Sequence, residues 1–176
     1  KVSINVSPSH VEHAQFVPMV LDTLRRFDIE GKQIEIEITE SLLLRHHPEI
    51  SDKLNTLSQQ GIRIAIDDFG TGYSSLSYLN RFPINTLKMD RFFVERIDSQ
   101  SKDACIVRAI ISMAQGLNLR LIAEGVETEQ QYRYLRNAGC TMMQGFLFSE
   151  AISGDALEQL ATSARKQEPT EELAAG

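Results

Sequence analysis

The sequence predicts an α/β fold, an incomplete TIM-like (β/α) barrel with about six of the eight strand–helix units such a barrel uses. Three observations predict it. Six short apolar, β-branched runs recur along the chain, separated by stretches with helical i, i+3, i+4 spacing. The connections from helix to strand are short, as in parallel βα units. Each of the six runs also ends on, or carries, a side chain able to bind a metal or a phosphate. A barrel collects such groups along the C-terminal rim of all its strands, whereas an open doubly wound sheet concentrates them at one switch point.

The elements follow in order. Residues 2–6 form the first strand, and Val17, Val20, Leu21 and Leu24 mark the buried face of a helix with Pro18 in its first turn. Residues 34–39 alternate as a second strand, in which one of Glu35 and Glu37 is free to face solvent. A helix over 48–60 turns Ile50, Leu54 and Leu57 inward and stops at Gly61. The third strand covers 62–66, followed by a Gly-rich turn over 67–72 and a short helix around 75–80. The fourth strand covers 84–89. A helix over 103–117 has Ile106, Val107, Ile110, Ile111, Ala114 and Leu117 on its apolar face. The fifth strand covers 119–123. Thr128 and Gln131 make a capping box for a helix that Gly139 ends. The sixth strand covers 141–148, and Ser153 caps a last helix with Leu157 and Leu160 inward. The strands read as mostly apolar on both faces. One domain over 1–164 and a disordered polar tail over 165–176 are expected.

Composition narrows the function. The 18 Lys and Arg against 24 Asp and Glu give a net charge of −6, which argues against a general nucleic-acid backbone binder. A hydrophobic content of 42% argues against disorder. No apolar run reaches the roughly 18 residues of a membrane span, and no secretory signal pattern is visible. Cys105 and Cys140 are expected as reduced thiols, and the four histidines lack zinc-site spacing. A first residue other than Met suggests a fragment or a processed chain.

The strand-end residues carry the chemistry. They are Asn5, Glu37, the pair Asp67-Asp68, Lys88 with Asp90, Glu124 and Gln144. Hard oxygens of this kind suit Mg2+, Mn2+ or Ca2+ rather than zinc. Two adjacent carboxylates can serve two ions about 3.5–4 Å apart. Lys88 offers a point charge for a water or a phosphate oxygen, and Gly70 and Gly72 let a loop pass close to a ligand. The set fits hydrolysis of a phosphodiester by water activated at a metal. The triplet Asp68-Phe69-Gly70 also occurs in kinases, but no Gly-rich nucleotide loop or His-Arg-Asp triplet accompanies it.

Asn-Val-Ser at 5–7, Glu-Ile-Thr-Glu at 37–40, Asp-Asp-Phe-Gly-Thr-Gly-Tyr-Ser-Ser-Leu at 67–76, Leu-Lys-Met-Asp at 87–90, Ala-Glu-Gly-Val-Glu-Thr at 123–128 and Gln-Gly-Phe at 144–146 together resemble the EAL-domain family. Its members are bacterial cyclic di-GMP phosphodiesterases with a TIM-like barrel. The similarity runs from residue 1 to about 150 in the family's order, and the stretches at 67–76 and 123–128 are highly specific.

The resemblance implies roles. Asn5, Glu37 and Asp67 bind a first metal, Asp67 bridges, and Asp68 holds the second. Glu124 is a further metal ligand or a base near the metals. Lys88 positions the nucleophilic water or stabilises charge on the phosphate. Glu127 and Gln144 tune water and ligand positions, while Asp90, Gly145 and Phe146 lie on the substrate side. Glu40 anchors the loop with Phe69, Gly70, Thr71 and Gly72, which couples metal binding to dimerisation.

The implied cofactors are two divalent cations, Mg2+ or Mn2+, with Ca2+ unproductive. The implied substrate is cyclic di-GMP and the product linear pGpG, in bacterial signalling that governs biofilm and motility. A homodimer, no polymeric nucleic acid, and upstream fusion to sensory or GGDEF domains are implied as well. So is a cytoplasmic domain, in a parent that can be membrane-anchored.

Two departures stand out. The Glu-Ala-Leu tripeptide, normally upstream of the Asn-Val-Ser strand, is absent, and with it a metal-ligand glutamate and a nearby arginine. The chain therefore reads as the C-terminal portion of the domain, weakly active or inactive alone. Phe148-Ser149-Glu150-Ala151 also stands where the family shows a basic residue and then proline. A non-hydrolytic cyclic di-GMP sensor and a structural dimerisation domain remain as alternatives.

Overall fold

A computed structural model of the chain describes residues 1–44, 48–70, 79, 81–97 and 102–167. The order is β1 (Val2–Asn5), α1 (Pro8–Glu12), α2 (Phe16–Arg26), a 3-10 turn (Gly31–Gln33), β2 (Ile34–Thr39), α3 (Glu40–Leu44), α4 (Pro48–Gln59), β3 (Arg63–Phe69) and β4 (Thr86–Met89). There follow α5 (Arg91–Glu95), α6 (Lys102–Gly116), β5 (Arg120–Ala123), α7 (Glu129–Asn137), β6 (Met142–Met143) and α8 (Gly154–Gln167). The six strands form one all-parallel sheet in sequence order. It is a curled part-barrel: among the described residues β1 pairs only with β2 and β6 only with β5, so both edges stay open.

Strand alternation sorts the side chains onto two unlike faces. Ile36, Ile38, Ile64, Ile66, Leu87, Met89 and Ala123 are buried in one core with Val11, Leu54, Leu57, Val107, Ile111 and Leu135 of the covering helices. The other face carries Ser3 and Asn5, Glu35 and Glu37, Ala65 and Asp67, Thr86 and Lys88, then Arg120 and Glu124, and all of these but Asn5 and Ala65 join in side-chain bonds across the curl. The expectation of strands apolar on both faces is thus corrected: a curled sheet has a concave inner side, and here that side is polar.

Four helix-to-strand turns share one design. After α2, α4, α6 and α7 the chain takes a left-handed residue, namely Asp28 (φ 52°), Gly61 (84°), Asn118 (54°) and Gly139 (95°). In each, the next residue's N–H returns to the helix: Ile29 to Leu24, Ile62 to Leu57, Leu119 to Ala114 and Cys140 to Leu135, at 2.9–3.2 Å. This is the Schellman closure, and it aims each apolar residue into the following strand.

Other differences from the sequence expectation have local causes. β3 continues to Phe69, and its register against β4 is irregular between Ile66 and Phe69, so Asp67 and Asp68 belong to a bulged strand end rather than a turn. Only Met142 and Met143 pair in β6, not residues 141–148. The chain presses onto the loop after β5, where a Cβ on Gly145 would lie 2.2 Å from the Val126 carbonyl oxygen, and Phe148 turns back to the Gly145 carbonyl. α1, α3 and α5 are five-residue helices, too short to show a helical period. Leu157 and Leu160 are exposed rather than inward, because the sheet ends at β6 and offers α8 no further strand to cover. Ile106 and Leu117, placed on the apolar face of α6, are also exposed. α8 runs to Gln167, three residues past the expected domain end at 164. Residues 168–176, His46-His47, and the short helix expected around 75–80, except buried Leu79, lie outside the described residues. Cys105 and Cys140 are both free thiols.

Candidate active site

The site is built around Lys88. β4 is buried along its whole length, and the alternation that sends Leu87 and Met89 into the core turns Lys88 to the inner face. Its Nζ donates to Glu37 Oε2 of β2 at 2.6 Å and Asp67 Oδ1 of β3 at 3.0 Å, and lies 2.7 Å from Glu124 Oε1 just beyond β5. An ammonium has three N–H groups, and each meets a carboxylate from a different strand. Ala65, the register partner of Glu37 on β3, is a small residue on the same inner face.

The electrostatics follow from one cation among three carboxylates. Burial alone would lower the Lys88 ammonium, but bonds to Glu124, Glu37 and Asp67 outweigh it and hold its pKa well above the usual lysine range. The Glu124 carboxyl is raised, first by burial and further by Asp67 and Glu37, against the opposing pull of Lys88. Asp68, although exposed, is raised by the partial loss of water on its strand side and then by the charges of Asp67 and Asp90.

The remaining expected residues are placed as follows. Asn5 is the register partner of Glu37, so the two stand side by side at the open edge. Asp68 takes φ 54° beside Asp67 and is exposed. Asp90 caps α5, accepting from the Phe92 N–H at 2.7 Å. Glu40 is buried at the start of α3, and its Oε2 accepts from the Gly70 N–H at 3.0 Å. Gly70 has φ 97°, and a Cβ there would lie 2.7 Å from the Phe93 ring, while Phe69 is in the core. Glu127 and Gln144 are exposed, and what the described bonds fix is their backbone: Glu127 N–H donates to Gln131 Oε1, and Gln144 N–H to the Ala123 carbonyl. Phe146 is 70% exposed beside Gly145. Thr71 and Gly72 lie outside the described residues.

The structure thus joins Glu37, Asp67, Lys88 and Glu124 in one bonded cluster, sets Asp68 against Asp90, and leaves Glu127, Gln144 and Phe146 on the surface around it. The expectation that Glu35 or Glu37 faces solvent is corrected, since they are 1% and 6% exposed. Glu35 belongs to a second cluster that sequence reading missed, with Thr86 and Arg120. Its signal was the two-residue spacing of Glu35/Glu37 and Thr86/Lys88, which puts both members of each pair on one strand face.

As a donor set, Asn5, Glu37, Asp67, Asp68 and Glu124 fit a hard divalent cation, being oxygens at adjoining strand ends. In the present arrangement Lys88 supplies the positive charge, and among the described residues no three His, Cys, Asp or Glu are grouped to hold an ion.

Comparison with known proteins shows the family and the fold. A family model described as EAL domain matches residues 1–151. The bifunctional diguanylate cyclase/cyclic di-GMP phosphodiesterase MucR of Pseudomonas aeruginosa is 42% identical over 89% of this chain and 23% of its own length. A solved MucR phosphodiesterase in complex with c-di-GMP has a TM-score of 0.85 at 41% identity, over 89% of this chain and 64% of that one. Klebsiella pneumoniae BlrP1 with manganese and cyclic di-GMP has a TM-score of 0.78 at 34% identity, over 85% of this chain and 38% of that one. The chain spans about a fifth to a quarter of the length of the curated relatives it matches.

Proposed function

Because the chain belongs to the EAL domain family, we propose that it is the phosphodiesterase portion of a protein that hydrolyses cyclic di-GMP to linear pGpG. The observation that carries this reading is the Lys88 ammonium held by Glu37, Asp67 and Glu124 at the strand ends. A phosphodiester under attack gathers negative charge on its oxygens, and fixed positive charge at that place lowers the barrier. Lys88 stays protonated through the physiological range and offers that charge, and it holds the attacking water once one of its three N–H groups leaves its carboxylate. Glu124, 2.7 Å from the Lys88 Nζ, is the group placed to take the water's proton where it is not itself a ligand to a cation. Divalent cations, when held by Asn5, Glu37, Asp67, Asp68 and Glu124, supply further positive charge and make water acidic enough to attack near neutral pH.

Asp90, Gly145 and the exposed Phe146 ring are proposed to meet the nucleotide, with Phe146 offering a face on which guanine can stack. Glu127 and Gln144 are proposed to orient water and ligand there. Glu40, through the Gly70 N–H, is proposed to set the start of the loop that couples metal binding to a homodimer. MucR is bifunctional by name and DosP of Escherichia coli is an oxygen sensor protein by name, which supports a place for this chain beside sensory or cyclase domains. Among the described residues no helix is long and apolar enough to cross a membrane, and the domain is proposed to work in the cytoplasm, where signalling nucleotides are made.

The test is chromatographic conversion of cyclic di-GMP with Mg2+ or Mn2+, by the product of the whole coding gene and by this chain. The gene product is expected to release pGpG, the isolated chain weakly or not at all, and Lys88→Ala in the gene product is expected to lower turnover by about 100-fold or more. Binding without turnover in the unaltered gene product would favour a sensor and overturn the reading.

A further inference from the structure

Beneath the Lys88 cluster lies a second one. Glu35 is 1% exposed, and its carboxylate receives four bonds: Ser3 Oγ at 3.1 Å, Thr86 Oγ1 at 2.8 Å, and the Lys1 Nζ and Arg120 Nη2 at 2.7 Å each. Arg120 also donates to Thr86 Oγ1 from Nη2 at 3.0 Å. Glu35 stands on β2 and Arg120 on β5, with β3 and β4 between them. In a flat sheet those strands lie about 14 Å apart, at roughly 4.8 Å per step. A bond from β2 to β5 therefore spans the concavity of the sheet.

The two clusters are stacked. Glu35 and Glu37, and Thr86 and Lys88, are each two residues apart on the same strand faces. Arg120 opens β5 and Glu124, four residues on, directly follows its last residue. The lower bridge ties β2 to β5, the two sides that deliver Glu37 and Glu124 to Lys88. Glu35 is buried beneath the cluster and, among the described residues, bonded only to neighbours in the lower layer, so it is no candidate to touch a ligand. A buried ion pair is a poor source of stability compared with apolar packing, but it is directional.

We propose that Glu35 and Arg120 are positioning residues: their bridge sets the curl of the sheet and thereby holds Glu37 and Glu124 on either side of Lys88. The proposal rests on the reading of the Lys88 cluster as the reaction site, but its test does not pass through turnover. Exchange of the Lys88 ammonium protons with water, read by lysine-selective NMR on this chain, reports how firmly the three carboxylates grip it. In Arg120→Met, with unchanged circular dichroism, exchange is expected to quicken by about tenfold, the scale of one lost charge-assisted hydrogen bond. Arg120→Lys, which keeps the charge, should restore most of the protection. Thr86→Val removes only a hydroxyl, and it decides the matter if Arg120→Met fails to fold: it too should quicken exchange. An unchanged Lys88 exchange rate in a folded Arg120→Met, or in Thr86→Val where that variant decides, overturns the proposal. Failure of cyclic di-GMP turnover in the gene product would overturn the functional reading alone.

Discussion

Lys88 and Glu35 are the two residues on which the inner face depends. Removing one partner of a buried charge cluster leaves the others unpaired, which costs about 3–5 kcal/mol. Lys88→Ala should therefore lower the unfolding free energy by about that amount at neutral pH, measured by urea denaturation, in addition to any loss of turnover. The effect on Glu35 is pH-dependent. Burial alone would raise its carboxyl, but the bonds from Lys1 and Thr86 and the charges of Lys1 and Arg120 outweigh burial and hold it below 4.5, the ordinary value. A folded-state pKa below the unfolded one gives stability that is complete above about pH 4.5 and fades as the pH falls through the depressed value. Thermal melts of the unaltered chain should thus fall more steeply below pH 4.5 than those of Glu35→Gln. Parallel melting curves there would show that the Lys1, Thr86 and Arg120 contacts do not hold the ionised carboxylate. Lys88, Asp67 and Glu124 are legible because each lies at or next to the end of an apolar run. Glu35 was not, because its partners lie up to 85 residues away and only the curl brings them together.

The elements show where sequence spacing carries information. α4, α6 and α7 are long enough to display a helical period or a cap, and their sequence signals lie within a residue or two of their ends. The capping box at Thr128 forms as expected, its Oγ1 accepting from the Gln131 N–H. Thr128→Ala should cost about 1 kcal/mol in chemical denaturation. Of the four Schellman turns, those at Gly61 and Gly139 were visible as glycines. Those at Asp28 and Asn118 were hidden, since residues with a Cβ seldom take a left-handed φ. They also carry a strain that glycine relieves. Asp28→Gly and Asn118→Gly should each stabilise the chain by a few tenths to about 1 kcal/mol, while Gly61→Ala should destabilise it by about 1 kcal/mol. A loss of stability in both glycine variants would mean that the side chains do more at these turns than tolerate the geometry.

At the scale of the whole molecule, the apolar runs disclosed the parallel order and the strand count, because hydrophobic burial is local in sequence. They did not disclose the polar concave side, because curvature belongs to the sheet and not to any one strand. The open β1 edge carries exposed Val2 and Ile4 at 58% and 46% exposure, beside unpaired backbone groups. Sedimentation of this chain should show mass rising with concentration, and Ile4→Lys should suppress the rise; equal behaviour of the two would exonerate that edge. The strand order has one more consequence. Every strand pairs only with its neighbours in sequence, so the sheet can grow in the direction of synthesis, each unit docking on the one before as it leaves the ribosome. The two charge clusters do not follow that schedule. Glu35 waits for Arg120 and Lys88 waits for Glu124, so a nascent chain can hold four strands in order while both clusters still lack their last partner. Emergence of β5 is the moment at which a growing sheet becomes a site.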